Sequence, residues 1–226
     1  MLDVDLYIAC LVLRGRRALV VGAGTVGLEK IEGLLTCEAD VKVVALAARP
    51  EVMEMAAAGK VELVEKAYQP SDLDGCFLAV AATQETELNT QIYREAESRS
   101  MLVNVVDVPD LCNFILPAVQ RTGPIAVAIS TSGASPALAK RMKREAAEMF
   151  GPEYAELAFL LDEIRDWAKR TLPTYEARKV FFEEIVNGYP DPIAMLKEKD
   201  VLGVRNLIDK ARRNIDPTYN SQLFGE

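Results

Sequence analysis

A short β-branched run, Ala18 to Val21, stops at a glycine and passes directly into a helical pattern, and this junction constrains the fold more than any other stretch. The residues are Gly22-Ala23-Gly24-Thr25-Val26-Gly27, followed by apolar side chains at Val26, Leu28, Ile31, Leu34 and Leu35. A first glycine permits the tight turn, a second lets backbone approach a pyrophosphate, and a third allows close helix–strand contact. The helix start then offers unpaired N–H groups to the anion. Strand, glycine turn and helix in this order predict a dinucleotide site built on Gly22, Gly24, Thr25, Val26 and Gly27.

Further apolar runs at Val41–Leu46, Val61–Val64, Phe77–Ala82 and Met101–Val106 alternate with helical stretches such as Pro50–Ala58 and Glu85–Ser98. Buried strands separated by crossovers predict an α/β fold, a Rossmann-like parallel sheet covered on both faces, over residues 1–113. The pattern then changes. FILPAVQ and IAVAIS flank the turn signal Arg121-Thr122-Gly123-Pro124, which reads as a hairpin, and a helix follows from Ala137 to Met149; this second segment spans 114–150. Residues 151–226 read as a small C-terminal helical domain, broken at Gly151-Pro152, Pro173, Asn187-Gly188 and Pro190. Its apolar residues need a partner surface, and a homodimer is the favoured use.

The chain contains no histidine. That excludes Ser-His-Asp and HExxH chemistry and every dehydrogenase that relies on imidazole, so proton transfer falls to a carboxylate, Lys, Tyr, Cys or water. A formal net charge of -8 argues against nucleic acid as a partner. No apolar run approaches the roughly 20 residues of a membrane span, and the start, MLDVDLYIAC, is acidic where a signal peptide is basic; a cytoplasmic protein without membrane contact is expected. Cys10, Cys37, Cys76 and Cys112 form no CxxC pair, so they read as reduced, mostly core residues, and no metal site is expected.

The second strand lacks the acidic residue that holds the ribose hydroxyls of NAD; Val44-Ala45-Leu46-Ala47-Ala48-Arg49 stands there instead. Backbone groups of Leu46 and Ala47 are assigned to the adenosine side, and Thr83, after the fourth strand, to the crevice. Arg49 is read as a solvated residue before Pro50 rather than a reader of a 2′-phosphate, which leaves NAD versus NADP open. Asp107, in Asn104-Val105-Val106-Asp107-Val108-Pro109-Asp110, falls at the carboxyl end of the fifth strand, where ligands of such sheets bind. It is either a turn-forming residue or an acid placed to reach a substrate.

Ser130-Thr131-Ser132-Gly133-Ala134-Ser135-Pro136 leads into a helix with Ser135 as its N-cap and Pro136 at its first position. Lys140, Arg141, Lys143 and Arg144 then concentrate base within two turns, as an anion-binding wall or as a solvated helix face. Tyr175 and Lys179 match a YxxxK pattern but lie in the helical tail, where an exposed i,i+4 pair is the ordinary explanation. Cys112 has no histidine to activate it as a nucleophile.

VVGAGTVGLEKIEGLL, LAVAATQETELN, NVVDVPDLCNFILPA and ISTSGASPALAKRMKRE, in this order and spacing, strongly resemble the precorrin-2 dehydrogenase and sirohydrochlorin ferrochelatase module of the siroheme synthase family. The resemblance covers roughly the first two-thirds of the chain. It implies a homodimer with a dimerisation hairpin, NAD as cofactor, and oxidation of precorrin-2 to sirohydrochlorin, with Asp107 as the catalytic residue. Some members also insert ferrous iron, as a second substrate, to give siroheme. The tetrapyrrole carries many carboxylates, so Asn104, Asn113, Thr131, Ser132, Gly133, Ser135, Lys140, Arg141 and Arg144 are taken as its binding set. The methyltransferase domain fused in some relatives has no room in 226 residues, so methylation is expected of another protein. The rival reading is a noncatalytic NAD-sensing module whose helical tail binds a partner.

Overall fold

The computed structural model describes residues 6–219; the acidic start at residues 1–5 and the end of the tail at 220–226 lie outside the described residues. The chain divides into two compact units, one up to Leu116 and one from Pro117 onward.

In the first unit, β1 (Arg17–Ala23), α1 (Thr25–Thr36), β2 (Asp40–Ala48), α2 (Pro50–Ala57), β3 (Glu62–Glu65), β4 (Leu78–Ala81), α3 (Thr86–Ser98) and β5 (Leu102–Val105) follow in order, with 3-10 turns at Pro70–Leu73 and Pro109–Leu111. The strands form a five-stranded sheet in the order β3-β2-β1-β4-β5, every pairing parallel. Side chains alternate across it. Ala18 and Val20 face one layer with Ile31 of α1 and Val52 of α2, while Leu19 and Val21 face the other with Ile92 and Ala96 of α3. Both faces are therefore apolar, which is why the strands read as apolar runs. Chain order reverses between β1 and β4, so their carboxyl ends open a crevice at the switch point.

The second unit begins with the antiparallel hairpin β6 (Ala118–Thr122) and β7 (Ile125–Ile129), in register from Ala118 opposite Ile129 to Thr122 opposite Ile125. Gly123 makes its turn at φ +55, where an added Cβ would stand 2.9 Å from Ala155. α4 (Pro136–Met149) covers one hairpin face through Ile129, Ala139 and Ala146. Five further helices follow: α5 (Pro152–Glu163), α6 (Arg165–Thr171), α7 (Tyr175–Val186), α8 (Pro192–Lys197) and α9 (Val201–Ile215). They share a core of Leu160, Ile164, Phe181, Ile185, Val204 and Ile208. Among the described residues no helix is long and apolar enough to cross a membrane. Cys37, Cys76 and Cys112 are partly buried and pack against the apolar layers of the first unit, whereas Cys10 departs from the sequence reading: it is exposed in the irregular segment before β1.

Candidate active site

The carboxyl ends of β1, β2, β4 and β5 share one edge of the sheet, and Gly22 to Gly27, Leu46, Ala47, Thr83 and Asp107 lie there; Asn104 is buried within β5, and Asn113 is bonded near the amino end of β5, away from that edge. Gly22, at φ +104, lies so close to the end of β4 that a Cβ would stand 2.4 Å from Ala82 O. A Cβ on Gly27 would meet Gly22 O at 2.2 Å, so α1 rests directly on the turn. Gly24 differs: nothing lies within 4 Å of its Cβ position. It is the N-cap of α1 without a side-chain cap, so first-turn N–H groups of Thr25, Val26 and Gly27 have no helical acceptor. Two glycines thus fit the backbone to itself, and the third leaves an open approach to free donors and the positive helix end. This cradle fits a pyrophosphate.

Leu46 and Ala47 are exposed at the end of β2, Leu46 at 72%. Arg49 is not simply solvated. Its Nη1 donates to Thr25 Oγ1 at 3.1 Å, and Nε and Nη2 grip both carboxylate oxygens of Glu51. The sequence reading missed this pair because Glu51 looked like an ordinary acid in the first turn of α2. Thr83, past β4, donates its hydroxyl to Asn89 Oδ1 at 2.7 Å, while Asn89 Nδ2 donates back to Thr83 O at 3.0 Å. Asn89 is buried, and no feature of its helical repeat marks it as the residue that fixes this loop.

Asp107 follows β5 in the left-handed region at φ +61 and is exposed. Asp tolerates this conformation better than most residues, and it turns the chain sharply at the sheet edge. Among the described residues its carboxylate has no hydrogen-bond or ion-pair partner. The turn itself is firmly held. Cys112 takes a hydrogen bond from Val105 N–H at 3.3 Å and lies 3.3 Å from Val108 O; Asn104 and Cys112 pair as an isolated antiparallel bridge. Asn104 Nδ2 donates to Phe114 O at 3.0 Å. Asn113 receives Val103 N–H at 2.7 Å and donates to Met101 O at 2.8 Å. Both amides therefore tie the segment after Asp107 back to β5.

In the second unit Ser135 caps α4, accepting Leu138 N–H at 3.2 Å. Thr131 closes the preceding loop by accepting Ser135 N–H at 3.2 Å, and Ser132 and Gly133 follow in the left-handed region at φ +49 and +81. Lys140, Arg141 and Arg144 are exposed, with Arg141 paired to Glu145 at 2.8 Å. Tyr175 and Lys179 are exposed on α7. Among the described residues no three Cys, Asp or Glu side chains gather as a metal site.

Comparison with known proteins agrees with this layout. A family model described as putative NAD(P)-binding matches residues 9–118, and one described as sirohaem biosynthesis protein central matches 122–148. A siroheme synthase of Pseudomonas entomophila is 40% identical over 182 residues, 80% of this chain and 39% of the relative; one of Nitrosococcus oceani is 34% identical over 176 residues, 78% and 38%. The chain thus spans about two-fifths of the length of these curated relatives. The solved structure of SirC, precorrin-2 dehydrogenase, superposes with a TM-score of 0.75 at 27% identity, covering 92% of this chain and all of that one.

Proposed function

Because the chain belongs to the siroheme synthase family, we propose that it catalyses the NAD-dependent oxidation of precorrin-2 to sirohydrochlorin. The observation that carries this reading is an open glycine cradle and an unpartnered exposed carboxylate on the same edge of one parallel sheet. The N–H groups at Thr25, Val26 and Gly27 hold the pyrophosphate, with Leu46 and Ala47 on the adenosine side and Thr83 lining the crevice. NAD bound there would supply the hydride acceptor. Asp107 takes the proton that leaves the macrocycle, so the two-electron oxidation yields NADH and one proton.

Asn104 and Asn113 serve the substrate through the loop they hold. Thr131, Ser132, Gly133 and Ser135 offer hydroxyl and backbone donors to macrocycle carboxylates, and Lys140, Arg141 and Arg144 supply the charge that attracts them to an acidic protein. Two-stranded sheets are marginal alone. The hairpin packs on α4 through Ile129, Ala139 and Ala146 and meets α5 at its turn, while Leu138, Met142 and Met149 stand exposed on α4, which supports a homodimer joined through this segment. Insertion of ferrous iron, a lyase activity, is the further step: Asp107 would accept the protons that the pyrrole nitrogens lose. We assign the work to the cytoplasm, where the reduced cysteines are stable.

The test mixes protein, precorrin-2 and NAD and follows the sirohydrochlorin spectrum. Asp107→Asn keeps the left-handed backbone while removing the base, so it binds NAD normally and loses oxidation; full turnover by that variant refutes the assignment. An anaerobic assay with sirohydrochlorin and ferrous iron reads the chelatase step, and a rate no greater than the protein-free control removes it.

A further inference from the structure

Arg49 is fastened at the end of β2. Its backbone N–H donates to Ala23 O at 3.1 Å, so the residue stands beside the glycine turn. Its Nη1 reaches Thr25 Oγ1, and its remaining edge forms a fork on Glu51, Nε to Oε2 at 3.2 Å and Nη2 to Oε1 at 2.8 Å. Pro50 at the first position of α2 fixes the backbone between the two partners.

In sheets of this order the end of the second strand receives the adenosine ribose. A carboxylate there accepts from the 2′-hydroxyl of NAD, whereas an arginine receives the 2′-phosphate of NADP. This strand ends in Ala45-Leu46-Ala47-Ala48, with no acid, and the arginine follows. Taken alone, Arg49 would favour NADP. Glu51 changes that balance. A carboxylate and a phosphate present the same pair of oxygens to a guanidinium, so they compete for one fork. Glu51 also places its own negative charge where a 2′-phosphate would arrive. Its carboxyl is held below the usual range by the hydrogen bond from Arg49, so it stays ionised at neutral pH.

We propose that Glu51 sets dinucleotide choice: by occupying the Arg49 fork from within the chain, it excludes a 2′-phosphate and directs the cradle to NAD. Glu51 acts through Arg49 and is a specificity residue, not a catalytic one. Both side chains of the pair are partly exposed, 41% and 46%, so the block is competitive rather than absolute.

The proposal rests on the dinucleotide reading above, and its test keeps the two apart. Titration calorimetry with NAD, NADP and adenosine 2′,5′-bisphosphate is run on the intact protein and on Glu51→Gln, Arg49→Ala and the double variant. The wild type binds NAD more tightly than NADP. Glu51→Gln tightens NADP and the bisphosphate by about tenfold and leaves NAD within roughly twofold, because a like charge is removed and the fork is freed. Adding Arg49→Ala abolishes the gain. An unchanged NADP to NAD ratio in Glu51→Gln, or a wild type that prefers NADP, overturns the proposal while leaving the dinucleotide site intact. A wild type that binds neither dinucleotide overturns the site itself, and the proposal with it.

Discussion

The Cys112 sulfur lies 3.2 Å from the carbonyl oxygen of Val105 and accepts the same residue's N–H, so one thiol completes both hydrogen bonds at the end of β5. Between these two residues the chain makes the loop that carries Asp107. Burial raises the thiol pKa, against the opposing pull of the Val105 N–H, and this keeps the proton that the donated bond requires. Cys112→Ala removes both bonds and should cost about 1–2 kcal/mol of stability. Loosening the turn should also lower kcat for precorrin-2 oxidation by roughly tenfold, since small misplacements of a reacting group are expensive. Cys112→Ser, which can replace both bonds, should recover most of the loss while the Kd for NAD stays constant in all three proteins. Equal kcat in the alanine variant would separate the thiol from Asp107.

The glycines divide by what their missing Cβ would strike. Gly27→Ala places a methyl against Gly22 O and should destabilise the first unit by roughly 3 kcal/mol, the upper range of an overpacked site. Gly24→Ala meets nothing within the protein and has φ -78, which alanine adopts freely. It should melt within a few degrees of wild type yet bind NAD at least tenfold more weakly, because the methyl stands in the path of the pyrophosphate. Thermal melts and NAD titration of the two variants distinguish a structural glycine from a binding one.

Much of this arrangement was legible before any coordinates. Each strand of the parallel sheet is marked by an apolar run, because a sheet covered on both faces selects for apolar residues. Asp107 was legible as the polar residue that ends such a run. Tertiary partners were not. The bond between Thr83 and Asn89 spans a strand end and a helix, and the Arg49–Glu51 fork depends on how Pro50 aims α2; periodicity reports faces, not partners. The break at Ile164 between α5 and α6 has neither glycine nor proline to mark it, so the tail read as fewer, longer helices than the five that follow α4.

Asp72 gives the first unit a pH-dependent lock. Its buried carboxylate receives Lys42 Nζ and Lys66 Nζ at 2.8 Å each and Gln69 N–H at 2.9 Å. Burial alone would raise its pKa; the hydrogen bonds from Lys42, Lys66 and Gln69 overcome that and hold it below the ordinary value. A depressed carboxyl contributes stability that is complete above its unfolded pKa of about 3.9 and is lost as pH falls through the lower folded value. Urea midpoints should therefore decline below about pH 5, and the decline should be shallower in Asp72→Asn. Asp72→Ala, which strands two lysines, should cost about 3 kcal/mol at neutral pH. Parallel pH slopes for wild type and Asp72→Asn would place the acid sensitivity elsewhere.

In the second unit the charge is buried against rings instead. Arg212 on α9 stacks over Tyr219 at 3.8 Å and over Trp167 at 4.7 Å, with Asp209 at 3.7 Å and its Nε without a hydrogen-bond partner among the described residues. Burial draws the guanidinium pKa down, and Tyr219 and Asp209 draw it up. The flat guanidinium suits this stack and a lysine does not, so Arg212→Lys should lose about 1–2 kcal/mol from the cation–π contacts although the charge is kept. Arg212→Ala should lose more, roughly 3 kcal/mol, because Asp209 is then buried without its counter-charge. Trp167 is the sole tryptophan, so its fluorescence reads this cluster directly. The denaturant midpoint followed at Trp167 should fall in the order wild type, Arg212→Lys, Arg212→Ala. A lysine variant as stable as wild type would mean that charge alone, and not the planar stack, holds α9 against Trp167.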